Sequence, residues 1–489
     1  MPPLLEEATI EHPRATVRRI LGPFHLALFL TVALVNLNST PVVASIGPGA
    51  LLLWLLGFLL FLLPESIAVL ELSRRYPREG GIYNWTKAAF GDAHAFVCGW
   101  CYWTNNIFYV PTLLFYVIGF TAFIGGEKTA YLSQTPAAMA SISLSLLVLI
   151  TLVNIRGFEV GKWVQGIAVL ATVMTTAVVV AVGILAVQRR GMANPLSVSA
   201  LTTPLHDLRA FSLLSIVCLN YVGLELGSVL GDEIKRPSVS IPRAVVVAGV
   251  CTAGLYLLCT FALQAIVPAQ KIGLIEGLLQ GVSIAAADLK LLWLVPPIAI
   301  LMSLNAAGNT SVWLAGSARI PFVIGLDRYL PTALGRTHAR YLTPYVSLLV
   351  QCAASGLFIL FTAVGSTVNE MYLILLQATT ILQLIPYLYM FAALLKVRVT
   401  PHLAAAEQGF FKRGWVCVQG GTLGLTVTTA GLVLALLPSR SVSHVGVFEV
   451  KLLVCVAAFL IPARVVFQHH RRQIAAKSLA PQPLEVLAE

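Results

Sequence analysis

Long apolar stretches recur along almost the whole chain, separated by short polar loops. A helix that crosses a membrane needs about 20 mostly apolar residues. On that basis the pattern predicts about twelve transmembrane helices, at residues 24–47, 49–73, 93–124, 136–154, 160–187, 208–231, 243–267, 289–318, 344–364, 370–395, 414–437 and 446–467. Since no polar domain lies between them, we predict an all-α integral membrane protein with short tails.

The composition agrees with this prediction. Of the 489 residues, 58% are hydrophobic and only 11% are charged, whereas soluble domains carry about 25% charged residues. The net charge of +11 would fit a nucleic-acid-binding protein, but the basic residues lie in short clusters between apolar runs. Such clusters report on membrane topology. We therefore expect the lipid bilayer as a partner and no nucleic acid.

The basic residues predict an orientation, because cytoplasmic loops carry an excess of Lys and Arg. With the N-terminus inside, 24 of the 32 Lys and Arg residues lie on the cytoplasmic side and eight lie outside. The first twenty residues hold no apolar stretch ahead of a cleavage site, which argues against a signal peptide. We expect a multi-pass protein of the cell membrane with both termini in the cytoplasm.

Two of the predicted helices look interrupted. The first contains Asn36 and Asn38 at mid-membrane depth, just before a proline, and the sixth contains Asn220, Gly223 and Glu225. Irregular backbone persists in a membrane only where protein or a water-filled cavity satisfies it. Breaks that lie five helices apart are expected of a five-plus-five inverted repeat with its binding site between them. On this interpretation, residues 34–39 and 220–225 are expected to be non-helical and to lie close together near the membrane midplane. The alternative is a pair of ordinary kinks, since Pro and Gly are common in membrane helices.

Three loop sequences carry a family resemblance. The chain reads PESIAVLELSRRYPREGGIYNW after the second helix, GLELGSVLGDEIKRPSVSIPRA after the sixth, and ARIPFVIGLDRYLP after the eighth. These resemble the amino acid, polyamine and organocation (APC) transporter superfamily, and in particular its bacterial-type amino acid permeases, over about residues 20–400. The resemblance implies a secondary active transporter that works by alternating access, with no metal or organic cofactor.

The resemblance also implies an architecture. A LeuT-like core of ten helices in the five-plus-five inverted fold, with helices 1 and 6 broken, would span residues 23–400. Two peripheral transmembrane helices would follow at 401–468. Residues 1–22 and 469–489 would form cytoplasmic tails.

In this family the substrate's carboxylate and amine meet exposed backbone where helices one and six unwind, and helices three, eight and ten complete the pocket. The resemblance therefore implies a substrate site formed by Leu34, Val35, Asn36, Leu37, Asn38, Ser39, Asn106, Tyr109, Asn220, Tyr221, Val222, Gly223 and Asn309. Asn105 and Asn305 are also polar residues of helices three and eight, but interhelical hydrogen bonding accounts for most such residues.

Two acidic residues lie within predicted helices, and an ionisable side chain is costly in a membrane. We expect Glu225 and Glu65 to act in coupling or gating. The alternatives are that Glu225 only fastens the unwound segment and that Glu65 only pairs with a neighbouring helix. The family's lysine in helix five is replaced here by an uncharged residue, at Ala171 or Thr172, which leaves open whether the coupling ion is H⁺ or Na⁺.

The sequence also bears on three other functions: an enzyme, a solute sensor and a transporter of polyamines or organocations. The nine histidines lie in tails, loops or helix ends, so an intramembrane metal site is not expected and the protein is not expected to be an enzyme. A solute sensor with the same fold is one alternative. A polyamine or organocation transporter is another, because acidic residues at 65 and 225 would tolerate a cation, whereas the apolar surroundings fit a neutral amino acid.

The orientation can be tested by cysteine labelling in a cysteine-free background. A cysteine at Ser199, in the external stretch 188–207, should react with an impermeant thiol reagent in intact cells, whereas one at Arg78 should react only after the membrane is opened. External labelling at position 78 would overturn the predicted arrangement.

Overall fold

Helices account for nearly all of the ordered backbone in the computed structural model of this protein. The structure describes residues 21–77, 80–125, 129, 135–230, 233–274, 276–327, 329–362, 368–400, 409–437 and 445–479. Arg78, the labelling position above, lies outside these residues. Within them the only strand-like pairing is an isolated bridge between Leu21 and Ile234.

Twelve helical segments follow the predicted apolar runs in order, and two of them are split. They are α1a (Pro23–Leu34), α1b (Thr40–Ala44), α2 (Gly49–Arg75), α3 (Asp92–Gly119), α4 (Pro136–Ile155), α5 (Phe158–Arg190), α6a (Leu214–Tyr221), α6b (Leu226–Val229), α7 (Pro237–Ile266), α8 (Val295–Ser317), α9 (Tyr345–Thr362), α10 (Val368–Val399), α11 (Gly414–Ala435) and α12 (Val445–Leu479).

Among the described residues, eleven helices are long and apolar enough to cross a membrane, one fewer than the approximate count from the sequence. The difference is α9, whose described apolar part, Tyr345–Leu360, is shorter than a typical span. Several loop helices were not predicted as separate elements, and the longest are Ile82–Phe90, between α2 and α3, and Gly277–Leu289, between α7 and α8. The second of these explains why α8 begins at Val295 rather than near residue 289.

The broken helices lie at the centre of the bundle. The apolar windows of Pro23–Ala44 and Leu208–Val229 are each 89% buried in protein, whereas that of Leu452–His469 in α12 is 19% buried. Large apolar side chains such as Trp163, Leu170 and Leu357 are exposed on the outer surface. Such a surface suits lipid, and the central position of the breaks lets irregular backbone find partners in protein.

Helices α10 and α11 approach each other closely through glycines. A Cβ added to Gly424 would lie 2.2 Å from Cε1 of Phe391, and one added to Gly421 would lie 2.7 Å from Cδ2 of Leu395. Small residues allow this approach, which supplies van der Waals contact between membrane helices. A larger side chain at these positions would force the two helices apart.

We expect Gly424→Val to destabilise the protein by about 1–3 kcal/mol, because overpacking forces side chains and backbone to shift. Gly254→Val is the matched control, since a Cβ at that α7 position meets no atom within 4 Å. Thermal unfolding of the detergent-solubilised variants measures the difference. Equal unfolding temperatures for the two variants would show that the α10–α11 contact tolerates a larger side chain.

Candidate functional site

The break in the first helix is short and needs no glycine. Helix α1a ends at Leu34, and Val35 and Asn36 take extended backbone angles with ψ of 97° and 85°. The chain then forms a 3₁₀ turn over Leu37–Ser39 before α1b. Because φ is −88° at Val35 and −109° at Asn36, ordinary L residues adopt this conformation. The predicted break in the first helix is therefore confirmed, but the expected non-helical range of 34–39 is too long. Leu34 still ends α1a and residues 37–39 form the 3₁₀ turn, because only Val35 and Asn36 depart from helical backbone angles.

The break in the sixth helix depends on a glycine. Val222 is extended with ψ of 136°, and Gly223 has φ of 140°, a value that favours glycine. Asn220 and Tyr221 are still helical, so the expectation of a break from 220 onward is wrong at its first two positions. The helix continues to Tyr221 because the chain first departs from helical backbone angles at Val222. The interruption covers residues 222–225.

One side chain from α7 holds the two breaks together. The Tyr256 hydroxyl accepts from the Asn36 backbone N–H at 2.9 Å and donates to the Leu34 carbonyl at 2.7 Å. It also lies 3.3 Å from the Asn220 carbonyl. The ring stacks on Trp54 of α2 at a centroid distance of 4.1 Å. Tyr256 thus satisfies backbone groups that the breaks remove from the helical pattern, a role that no residue pattern indicated.

Helix α8 satisfies the remaining carbonyls at the end of α1a. Asn309 Nδ2 donates to the Val32 carbonyl at 2.5 Å, and Trp313 Nε1 donates to the Ala33 carbonyl at 3.0 Å. With Tyr256 on Leu34, three consecutive carbonyls have donors from protein side chains. The C-terminal end of a helix carries partial negative charge, and here neutral donors rather than a cation meet it.

A small cavity lies between the two breaks. Its volume is about 10 Å³, close to the room that one water molecule needs. An amino acid can enter only if the surrounding side chains move apart. The lining residues are Ala33, Leu34, Asn36, Asn105, Tyr109, Leu219, Asn220, Val222, Trp313, Thr379 and Gln383.

Four buried polar atoms of this lining have no hydrogen-bond partner among the described residues. They are Oδ1 of Asn36, Oδ1 of Asn105, Oγ1 of Thr379 and Nε2 of Gln383. Each of these residues is at most 6% exposed. Because buried polar groups are nearly always hydrogen-bonded, these atoms are available to bind a polar solute.

The cavity brings together only some of the candidate residues from the sequence. Leu34, Asn36, Tyr109, Asn220 and Val222 line it. The other candidates for the substrate site are buried or half-buried around it without lining it: Val35, Leu37, Asn38, Ser39, Asn106, Tyr221, Gly223 and Asn309.

Hydrogen bonds explain several of these positions. Asn106 donates to the Tyr102 carbonyl of its own helix at 2.9 Å, so its neighbour Asn105 takes the place in the cavity. Tyr221 donates to the Trp54 carbonyl at 3.1 Å and faces α2. Asn305 bonds Thr172 of α5 at 2.5 Å, which is the interhelical pairing that we considered for it. Side-chain direction, rather than residue type, decides these cases.

Trp313, Thr379 and Gln383 were not predicted. A usable signal existed for two of them, because Thr379 and Gln383 are polar residues four positions apart within an apolar run. That spacing places them on one face of a helix.

A second cluster lies beside the break in α6 and contains both acidic candidates. Glu65 accepts from the Leu224 N–H at 3.1 Å, and Glu225 accepts from the Gly223 N–H at 3.0 Å. The Tyr387 hydroxyl lies 3.3 Å from Glu65 Oε1 and also hydrogen-bonds Glu225 Oε2. Tyr102 donates to Glu225 at 2.7 Å. The two carboxylates therefore hold the backbone freed by the break and share one tyrosine hydroxyl.

Neither of these two carboxylates takes part in an ion pair among the described residues. Glu65 and Glu225 are both completely buried, and neither lines the cavity. In the described part of the chain, the ion pairs involve other acidic residues. Glu65 does pair with neighbouring helices, as its alternative role supposed, but through the Tyr387 hydroxyl of α10 and the Leu224 N–H rather than through an ion pair among those residues.

Ion pairs close the bundle at the end that carries Leu21. Arg319 lies two residues beyond the end of α8. Its Nε donates to Glu233 Oε1 at 2.8 Å, and both side chains are buried. Leu21 N–H donates to the Glu233 carbonyl at 3.0 Å. Separating a buried ion pair leaves an uncompensated buried charge, which costs free energy. This contact therefore stabilises the closed arrangement at that end.

A second network at the same end joins the loop helix Ile82–Phe90 to the residues after α8. Lys87 Nζ lies 2.6 Å from Asp327 and 3.2 Å from Asp92. Burial lowers the pKa of Lys87, but its hydrogen bond and attraction to Asp327, with help from Asp92, outweigh burial and leave that pKa raised. A raised lysine pKa means that the stabilisation is complete below about pH 10 and is lost only above it. This network therefore stays charged at neutral pH.

Comparisons with known proteins identify the family of this chain. The sequence model of the amino acid permease family matches residues 21–466. An uncharacterized transporter of Legionella pneumophila is 25% identical over 447 residues, covering 88% of this chain and 92% of the relative. A probable agmatine/putrescine antiporter of Lactococcus lactis is 25% identical over 56% of this chain and 57% of its own length. The serine/threonine exchanger of Bacillus subtilis is 24% identical over 64% and 68%.

A solved structure confirms the predicted LeuT-like fold. The crystal structure of MhsT in complex with L-phenylalanine superposes with a TM-score of 0.60, covering 85% of this chain and 98% of that one, at 14% sequence identity. At that identity the likeness concerns the fold alone. The family model, by contrast, spans nearly the whole chain, and this protein therefore belongs to the amino acid permease family, whose members are membrane transporters rather than enzymes.

Proposed function

We propose that this permease moves amino acids or related small amines across the cell membrane by alternating access, with the substrate bound between the two helix breaks. The observation that carries the proposal is the cavity at this place, which is lined by buried polar atoms without partners. Two relatives point the same way, one named as a serine/threonine exchanger and one as a probable agmatine/putrescine antiporter. A polyamine or organocation substrate is the alternative.

The closed cavity implies that transport requires movement of the helix halves. At about 10 Å³ the cavity is too small for an amino acid. For the Leu21 end to open, Arg319 must separate from Glu233 and the Leu21 backbone must leave the Glu233 carbonyl. Since α1a and α6b meet at that end, their joint movement would expose the cavity to one side of the membrane.

The carboxylate cluster supports H⁺ as the coupling ion. Glu65 and Glu225 contact the same Tyr387 hydroxyl in a fully buried site. Two uncompensated negative charges around one hydroxyl are costly in such a site, and one bound proton removes most of that cost. Movement of α6b would admit water to the cluster, so that the proton could leave on one side only. The acids would then link proton binding to the conformation of the break.

The end of α1a argues against Na⁺ as the coupling ion. Unwound carbonyls at the end of a half-helix are the groups that coordinate Na⁺ in transporters of this architecture. Here Asn309, Trp313 and Tyr256 donate to the carbonyls of three consecutive residues. A cation would have to displace these donors, so we propose a sodium-independent mechanism.

The basic-residue bias supports a location in the cell membrane with both termini in the cytoplasm. In this orientation the Arg319–Glu233 ion pair lies on the cytoplasmic side. The structure then corresponds to a conformation whose cytoplasmic end is closed.

Glu225→Gln is expected to lower proton-driven uptake into proteoliposomes at least tenfold and to flatten its dependence on pH. The variant keeps size and hydrogen bonding but loses the charge, and a hydrogen bond to a charged group contributes about 1.5–3 kcal/mol. Initial uptake rates between about pH 5 and pH 8 measure the effect. Glu449→Gln, at an exposed position of α12, is the matched control.

A wild-type rate and pH profile in the Glu225 variant would make this residue structural, with Glu65 the next candidate. Absence of uptake by the wild-type protein, with solute binding retained, would instead favour a sensor.

Replacement of Na⁺ by choline should leave the uptake rate of the wild-type protein unchanged, because donors already occupy the α1a carbonyls. Uptake under a proton gradient, measured in sodium-free and sodium-containing buffer of equal ionic strength, checks this. Several-fold stimulation by Na⁺ would refute the sodium-independent mechanism.

A further inference from the structure

We propose that the cavity selects a net-neutral amino acid whose side chain ends in a hydrogen-bonding group, and that Asn105, Thr379 and Gln383 form the subsite for that group. This inference rests on the proposed function, since it concerns the same cavity. It chooses between the neutral and cationic substrates that the sequence left open.

The charge of the cavity argues against cationic substrates. None of the described residues that line it is charged. Both acidic residues lie outside this lining. Glu225 accepts hydrogen bonds from Tyr102, Tyr387 and the Gly223 N–H, and Glu65 accepts one from the Leu224 N–H. A second ammonium on a lysine or polyamine would be buried without a counter-ion, which is strongly unfavourable. An acidic side chain would have the same difficulty.

The polar atoms of the cavity fall into two groups. Asn36 lies within the break of the first helix, so its side chain is attached to unwound backbone. Asn105 of α3 and Gln383 of α10 hydrogen-bond each other, and Thr379 lies one turn before Gln383. Helix breaks in this architecture receive the charged ends of a substrate. The α3–α10 group is therefore left to meet the substrate's side chain.

The α3–α10 group offers one donor and one acceptor side by side. Asn105 Nδ2 donates to Gln383 Oε1, which leaves Asn105 Oδ1 as an acceptor and Gln383 Nε2 as a donor. Rotating both amides by 180° exchanges the roles but again leaves one of each. The Thr379 hydroxyl can act in either sense. A carboxamide or a hydroxyl complements such a pair, whereas an aliphatic side chain would leave both groups buried and unpaired.

Aromatic residues also line the cavity. Tyr109 and Trp313 meet edge to face at a centroid distance of 5.6 Å. Together with the fully buried carbon atoms of Leu34 and Val222, they provide an apolar wall for the substrate's carbon chain. The expected substrates are therefore serine, threonine, asparagine and glutamine, rather than lysine, putrescine, glutamate or leucine.

The test is competition against uptake of radiolabelled threonine by wild-type proteoliposomes under a proton gradient. Unlabelled serine, asparagine and glutamine should compete at concentrations at least about tenfold lower than leucine, lysine, glutamate or putrescine, because an unsatisfied buried donor or acceptor costs about that factor or more. If lysine or putrescine competes better than serine and glutamine, the proposed selectivity is wrong while the transport function stands.

Substitutions at the subsite sharpen the test. Gln383→Leu should raise the concentration of threonine needed for half-maximal uptake about tenfold while leucine competes better than before. Gln383→Glu adds one carboxylate to the subsite and should improve competition by lysine about tenfold. Thr379→Val, which keeps the shape, should shift selectivity in the same direction as Gln383→Leu by a smaller factor. Gln419→Leu, on an exposed face of α11, is the matched control.

Ligand-induced thermal stabilisation in detergent separates this inference from the proposed function. Threonine should stabilise the wild-type protein at concentrations at which lysine does not, and Gln383→Leu should remove the difference. If uptake is absent but this pattern is present, the transport function fails and the subsite stands. If Gln383→Leu and Thr379→Val both retain wild-type selectivity, the subsite assignment is overturned.

Discussion

Backbone polar groups inside a membrane must find partners in protein, because no lipid can hydrogen-bond them. Both helix breaks of this permease release such groups, and the surrounding helices are arranged to satisfy them. Tyr256 bonds the Asn36 N–H and the Leu34 carbonyl, and Asn309 and Trp313 bond the two carbonyls before it. The central position of the broken helices, which are the most deeply buried spans, follows from this need.

The two breaks have hydrogen-bond partners of different chemistry, neutral donors at the first break and carboxylates at the second. The end of α1a is met by neutral donors, which leave no net charge to balance. The start of α6b is met by Glu65 and Glu225, so the freed N–H groups of Gly223 and Leu224 bind groups that can gain or lose a proton. In the proposed mechanism, a change in protonation would therefore alter the bonding of the α6 break directly, whereas the side chains that meet the end of α1a are uncharged.

The same requirement shapes the substrate cavity. Among the described residues, several buried polar side-chain atoms near the breaks lack hydrogen-bond partners, and four of them belong to the lining of the candidate cavity, at Asn36, Asn105, Thr379 and Gln383. A bound solute would satisfy these atoms and lower the free energy of the closed cavity. Substrate binding and closure would then favour each other, as alternating access requires.

The spans, the helix breaks and the family could be predicted from the sequence, because a membrane restricts which segments can cross it. Apolar length predicted the spans to within a few residues, and only α9 falls short of a full span. The Asn-rich stretch of the first helix and Gly223 of the sixth indicated both breaks, since departures from helical backbone leave a local mark in residue type. The loop sequences indicated the family over nearly its whole extent.

Only the tertiary structure decided which side chains meet. Asn105 and Asn106 are adjacent and identical in type, yet only Asn105 lines the cavity, because successive residues of a helix point about 100° apart. A buried membrane helix is apolar on nearly every face, so its sequence lacks the periodicity that would reveal its rotation. Tyr256, Trp313, Tyr387 and Gln383 come from helices distant in the chain, and their roles arise only when packing brings them to the breaks.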